Sequence, residues 1–208
     1  MSQESILYKE NPKIQCFAAM INYRMAHFHD DLEILYVLKG SVVIERKDKA
    51  NILKQGEIFV LERNVVHSLR KTNEPHLLLT LQVNLSNLTE ISPDFLLMRL
   101  NRHLYTPADG KQYQTLKSLF RRILDNYAQP EPIRPLKNMQ LICDICILFF
   151  EELSHITLPE RELAHEEKNN ALLSLLLNYI QQSYMYSPSL SEFGKGHGLN
   201  VRYLSRFF

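Results

Sequence analysis

Two places in this sequence carry side chains able to do chemistry. In the first, His27-Phe-His29-Asp-Asp-Leu-Glu33 sets two histidines one residue apart and a glutamate four residues after the second. A third histidine, His67, closes the later stretch Gly56-Glu-Ile-Phe-Val-Leu-Glu62-Arg-Asn-Val-Val-His67. Imidazole nitrogens and a carboxylate suit Fe, Mn, Ni or Zn, and an open position on such an ion supports catalysis. The same four groups can instead wall a polar pocket and hydrogen-bond one another or a small ligand. Spacing constrains both readings. In a straight strand His29 and Glu33 would share a face but lie ~13 Å apart. That is too far for one ion bound at about 2 Å per ligand. A reversal at Asp30-Asp31, residues that suit a turn, must bring Glu33 back, with Gly40 closing the next hairpin.

The flanking pattern supplies the elements that must position these groups. From Ile14 to Val83, short apolar runs alternate with turns at Asp30-Asp31, Lys39-Gly40, Asp48-Lys49 and Gln55-Gly56. Their β-branched and aromatic content predicts a β-meander closed into a sandwich or small barrel. "EILYVL", apolar on both faces, predicts a strand covered on both sides. A short helix is expected over Pro93–Leu104. Tyr113, Leu116, Phe120, Ile123 and Tyr127 then form a helical seam, and three prolines separate it from a second helix. That helix, 136–153, carries Ile142, Ile145, Cys146, Phe149 and Leu153 on one face; the surplus at Leu141 and Leu148 predicts a subunit interface. The polar segment 154–169 reads as a linker. Beyond it "ALLSLLLNYIQQSY" is amphipathic, with Ser174, Asn178 and Gln181 on the wet side.

The second chemical feature is the basic tail. From Lys168 onward there are four basic residues (Lys168, Lys195, Arg202, Arg206) and one acid (Glu192), a balance of +3; the remaining 20 basic and 22 acidic residues give −2. Such asymmetry is compatible with nucleic-acid binding. Ser189 is placed to cap a helix with Glu192 as its capping-box partner. His197-Gly198-Leu199-Asn200 makes a turn, and Asn200 caps a helix starting at Val201. Leu204 and Phe208 would face the core, while Arg202 and Arg206 share a face able to meet phosphates or base edges. Gly194 and Gly196 weaken the first helix by ~1–2 kcal/mol.

Composition bounds the reading. With 45% hydrophobic and 23% charged residues the chain is ordinary for a globular protein. No apolar run approaches the roughly 20 residues of a membrane helix. The N-terminus lacks a basic start and apolar core, and Cys16, Cys143 and Cys146 are few and odd in number; both point to a reducing, cytoplasmic setting. Cys143 and Cys146 have CxxC spacing but sit in an apolar helical pattern, which reads as core.

The pattern His27-x-His29-x3-Glu33-x6-Gly40 resembles the first motif of the cupin superfamily, and Gly56-x5-Glu62 with His67 resembles the second. In that family His27, His29, Glu33 and His67 would correspond to metal ligands. The usual Pro-x-Gly turn reads Glu62-Arg63-Asn64 here, where Asn64 can take the left-handed conformation, and the terminal Asn is Lys71. The tail resembles the opening of the DNA-binding domain of AraC-family transcription regulators. Tyr179-Ile180, Tyr184, Leu190, Leu199, Tyr203-Leu204-Ser205-Arg206 and Phe208 stand in the matching places. The resemblance implies an α+β protein: a cupin-like β-barrel or sandwich with two dimerisation helices (1–153), the linker (154–169), and a helix-turn-helix segment (170–208). It implies a one-component regulator, not an enzyme, that senses a small polar effector such as a sugar and binds promoter DNA as a homodimer through helices 111–128 and 136–153. The pocket residues would be His27, His29, Glu33, Tyr36 and His67, with an arm at Leu7 and Tyr8 closing over them. The DNA-binding residues would be Asn200, Arg202, Tyr203 and Arg206. The family's second helix-turn-helix does not follow, so the chain is expected to be truncated at Phe208. No cofactor is expected, a divalent metal at His27, His29, Glu33 and His67 being the minor alternative. The competing function is a metal-dependent cupin enzyme, a dioxygenase or isomerase.

Overall fold

A computed structural model describes residues 2–4, 6–8, 11–46, 49–86, 88 and 91–207. Asp48 and Phe208, and the side chains of Gln181, Tyr184 and Arg206, lie outside the described residues.

Among the described residues, twelve strands precede or accompany five α-helices. They are β1 (Ser2–Gln3), β2 (Ile14–Ala19), β3 (Tyr23–Phe28), β4 (Asp31–Lys39), β5 (Ser41–Arg46), β6 (Lys49–Lys54), β7 (Ile58–Leu61), β8 (His67–Lys71), β9 (Leu77–Asn84), β10 (Met98–Leu100), β11 (Leu104–Tyr105) and β12 (His155–Thr157). The helices are α1 (Lys111–Tyr127), α2 (Arg134–Glu151), α3 (Glu160–Ser183), α4 (Leu190–His197) and α5 (Val201–Phe207). Two five-stranded sheets, ordered β1-β3-β8-β5-β6 and β11-β7-β4-β9-β2, form a β-sandwich, antiparallel except where β1 joins β3. With the helices this is the expected α+β class.

The connections differ from a simple meander. β4 pairs with β7 and β9, whereas β5 pairs with β6 and β8. Asp30 and Gly40 therefore sit at corners where the chain changes sheet, and neither closes a hairpin. Gly40 has φ +68°, and a Cβ there would stand 2.1 Å from the Pro75 carbonyl oxygen. Only glycine combines that backbone angle with that close approach.

β4 shows why its sequence is apolar on both faces. Leu35 and Val37 point between the sheets, where they pack with Ile44, Leu53, Phe59 and Leu69. Leu32, Ile34 and Tyr36 point outward onto the helices. Tyr113, Leu116, Phe120 and Ile123 of α1, and Ile142, Ile145, Cys146 and Phe149 of α2, complete this outer core. The two helices are also joined by the buried bond from Asn126 Nδ2 to Asn138 Oδ1, 3.1 Å. Leu141 and Leu148 are 0% and 4% exposed, so this surplus is consumed inside the protomer. The apolar side chains that α2 leaves in solvent are Leu136, Ile147 and Phe150. The helix expected over Pro93–Leu104 is a 3-10 turn at Pro93–Leu97, after which the chain becomes extended.

Segment 154–169 is ordered: β12 pairs with β10, and α3 begins at Glu160. Leu172 and Leu176 of α3 pack with Phe193 of α4 and Leu204 of α5. Ser189 Oγ accepts the Glu192 N–H at 3.1 Å, and Asn200 Oδ1 accepts the Arg202 N–H at 2.8 Å, so both helix starts are capped as expected. Gly194 has a packing reason: a Cβ would lie 2.7 Å from the Leu199 carbonyl oxygen. Among the described residues no helix is long and apolar enough to cross a membrane.

Candidate functional site

Antiparallel register brings the histidines together. His27 on β3 is the direct partner of His67 on β8, and His67 is the partner of Arg46 on β5. Directly opposed residues share a face, so His27, His67 and Arg46 form one row looking into the sandwich. Glu33 comes from the facing sheet, and the corner at Asp30 turns His29 toward it. The predicted reversal thus meets its purpose by a change of sheet.

All four groups are buried, at 2–5% exposure. Each histidine donates its Nδ1 hydrogen to a main-chain carbonyl: His27 to Met25 (2.8 Å), His29 to Asp31 (3.1 Å) and His67 to Val65 (2.8 Å). This fixes the rings and leaves the three Nε2 atoms converging, all within 4.8 Å of one another. His29 Nε2 lies 2.9 Å from Glu33 Oε2. His67 Nε2 is 3.3 Å from the same oxygen but not aligned for a hydrogen bond, and it has no partner among the described residues.

Charge follows from these contacts. Burial opposes ionisation of Glu33, but the hydrogen bond from His29 and the nearby charges of His67 and His29 hold its carboxyl well below the ordinary range. Burial acts against protonated His29, yet its hydrogen bond to Glu33 and that residue's charge outweigh burial and raise the imidazole above its ordinary value. His27 is lowered to about 4, first by burial and then by the neighbouring His67. Its Nε2 accepts a hydrogen bond from Arg24 Nε at 3.1 Å.

The N-terminal arm reaches the same place. β1 runs along β3, and Glu4 pairs with Arg24 and approaches His27 Nε2 at 3.3 Å. Tyr8 donates its hydroxyl hydrogen to Asp31 Oδ1 at 2.7 Å, while Leu7 is exposed. Tyr36 is not brought to the cluster: alternation along β4 puts it on the outer face, its ring 5.5 Å from Phe120 of α1. Arg24 and Glu4 were missed by sequence reasoning, since neither belongs to a spacing pattern.

The donor set fits a divalent cation: three convergent imidazole nitrogens, one of them orphaned, and a carboxylate. Bound there, an ion would take the place of the proton between His29 and Glu33, and Arg24 would have to release His27.

The space between the sheets beneath the histidines is packed with apolar side chains, among them Leu35, Val37, Ile44 and Leu53. A cavity of about 600 Å³ opens instead at the end of the sandwich beside Arg46. Its lining includes Arg46, Lys49, Glu62, Arg63 and His103, Arg99 of β10, and Glu166, Asn169 and Asn170 of α3. Its size is that of a small-molecule site. No motif in the sequence pointed to it.

At the other chemical feature, Asn200 Oδ1 is occupied as a helix cap, and Arg202 and Tyr203 are exposed.

The sequence profile described as the AraC-like ligand binding domain matches residues 11–144. No curated protein matches the chain. Among solved structures, oxalate decarboxylase from Bacillus subtilis is similar at 18% identity and a TM-score of 0.33, over 35% of this chain and 22% of that one. A cupin-2 domain containing protein from Shewanella frigidimarina NCIMB 400 is similar at 22% identity and a TM-score of 0.33, over 36% of this chain and 74% of that one. The chain thus spans about a fifth of the decarboxylase's length.

Proposed function

The chain belongs to the family of AraC-like ligand-binding domains, and from that premise we propose that it is a one-component transcription regulator. A small effector bound by the sandwich biases a homodimer between two arrangements of its DNA-binding segments. The observation that carries this reading is the order of parts. A ligand-binding domain leads into the 24-residue α3, and α3 packs directly on α4 and α5. Those two helices, joined by a tight turn at Gly198, form the helix-turn-helix, with exposed Arg202 of α5 directed to DNA. The dimer forms through α1 and α2, whose exposed Leu124, Leu136, Ile147 and Phe150 would be covered by the second copy.

Binding of the protein to the DNA upstream of its own gene tests the proposal. The affinity should fall steeply with salt, and Arg202→Ala should flatten that slope by about one counterion. Salt-insensitive binding, or an Arg202→Ala variant with the parent's slope, would remove α5 from the role.

A metal-dependent cupin enzyme is the second reading, favoured by the three convergent Nε2 atoms. Elemental analysis of protein purified without added metal separates the two. A stoichiometric first-row metal, lost in His29→Ala, would favour the enzyme or a metal-dependent sensor; substoichiometric metal favours the pocket.

A further inference from the structure

Arg46 and Lys49 are direct register partners at the end of the β5–β6 ladder. Two like charges placed opposite each other across a ladder are destabilising. A natural sequence keeps such a conflict chiefly where function requires it. The neighbouring cations of the same cavity are neutralised: Arg63 by Asp30 at 2.8 Å and Glu167 at 3.6 Å, Arg99 by Glu166. Arg46 and Lys49 form no ion pair with any described residue, and Arg46 Nε is buried without a hydrogen-bond partner among them. Glu62 is near enough to favour the charged form of Arg46 but forms no ion pair with it, and its Oε1 accepts the Leu100 N–H at 2.6 Å.

The guanidinium is held in place all the same. It lies 4.9 Å from the centre of the Phe59 ring, which stacks on His103. Stacking fixes the plane of an arginine while leaving its edge free, and that edge matches a planar carboxylate bidentately. Val65 and Val66 supply an apolar wall for the rest of a ligand.

We propose that this cavity binds a small organic carboxylate, with the anionic group held between Arg46 and Lys49. The inference rests on the reading of this domain as a sensor and narrows the ligand class from the small polar effector, such as a sugar, expected from the sequence. Because Asn169 and Asn170 of α3 also line the cavity, the bound molecule touches the helix that carries α4 and α5. Occupancy and helix position are thereby linked without passing through the histidine cluster.

Thermal unfolding of the protein without DNA tests this, using acetate, benzoate, 2-oxoglutarate, inorganic phosphate, glucose 6-phosphate and glucose against chloride at matched ionic strength. At least one carboxylate should raise Tm saturably, by about 5 °C at a hundredfold excess over its Kd. Lys49→Gln and Arg46→Gln should abolish the rise. Lys49→Gln, which removes one of two opposed charges, should unfold in chloride no earlier than the parent. Protection by no carboxylate, by phosphate compounds alone, by glucose, or to an equal degree in Lys49→Gln, would each overturn the assignment. Failure of the regulator reading would be distinct: DNA binding would be absent while Lys49-dependent protection persisted.

Discussion

His29 Nε2 and Glu33 Oε2 are 2.9 Å apart although four residues and a change of sheet separate them in the chain. Both side chains are almost fully buried, at 1% and 6% exposure, so neither charge is screened by solvent. A buried pair of this kind says little about net stability, but removing one partner strands the other. Glu33→Gln should therefore destabilise the protein by about 2–4 kcal/mol in urea unfolding. A cycle with His29→Gln should give a coupling energy of at least about 1 kcal/mol; additive single effects would mean the two groups do not act as a pair.

Acid should weaken the fold through His27. Its folded-state value, about 4, lies below the ordinary 6.5. The unfolded chain thus takes up the proton first, and stability present above the ordinary value is lost as pH falls toward 4. The loss should reach about 3 kcal/mol between pH 7 and 4. His27→Gln should show a shallower dependence by that amount; parallel curves would mean that His27 protonates as easily folded as unfolded.

Gly40→Ala and Gly56→Ala separate two glycine roles. Both have positive φ, but a Cβ at Gly40 meets the Pro75 carbonyl oxygen at 2.1 Å, whereas at Gly56 nothing lies within 4 Å. Gly56→Ala should cost about 1 kcal/mol, for conformation alone. Gly40→Ala should cost at least about 2 kcal/mol more, because backbone must move. Equal costs in denaturant titrations would show that the corner at Gly40 yields.

Association and folding should respond to different leucine-like positions of α2. Leu141→Ala, at a site 0% exposed, should destabilise by about 2–5 kcal/mol. Ile147→Glu, at a site 50% exposed, should leave the fold intact and shift sedimentation toward the monomer. A dimer unaffected by Ile147→Glu would move the interface off this face.

The sequence by itself determined what depends on neighbours along the chain. Strand alternation, the helical seam through Tyr113 and Ile123, the caps at Ser189 and Asn200, and the left-handed Asn64 at φ 60° are local, and each emerges as expected. The coincidence of His27, His29, Glu33 and His67 was also legible, because strand spacing requires a reversal before the side chains can meet, without naming the sheets involved. Only the tertiary structure decided which face each residue serves. Tyr36 lies three residues from Glu33, and odd spacing on a strand sends it to the opposite side, against α1. Leu141 and Leu148 read as surplus until the outer face of a whole sheet needed covering. Arg46 belongs to no motif in the sequence, since nothing local reveals that a row shared with His67 places it and Lys49 in one cavity beside α3. The physical reason is common to all three: periodicity fixes which side chains share a face, and pairing between distant strands fixes what that face meets.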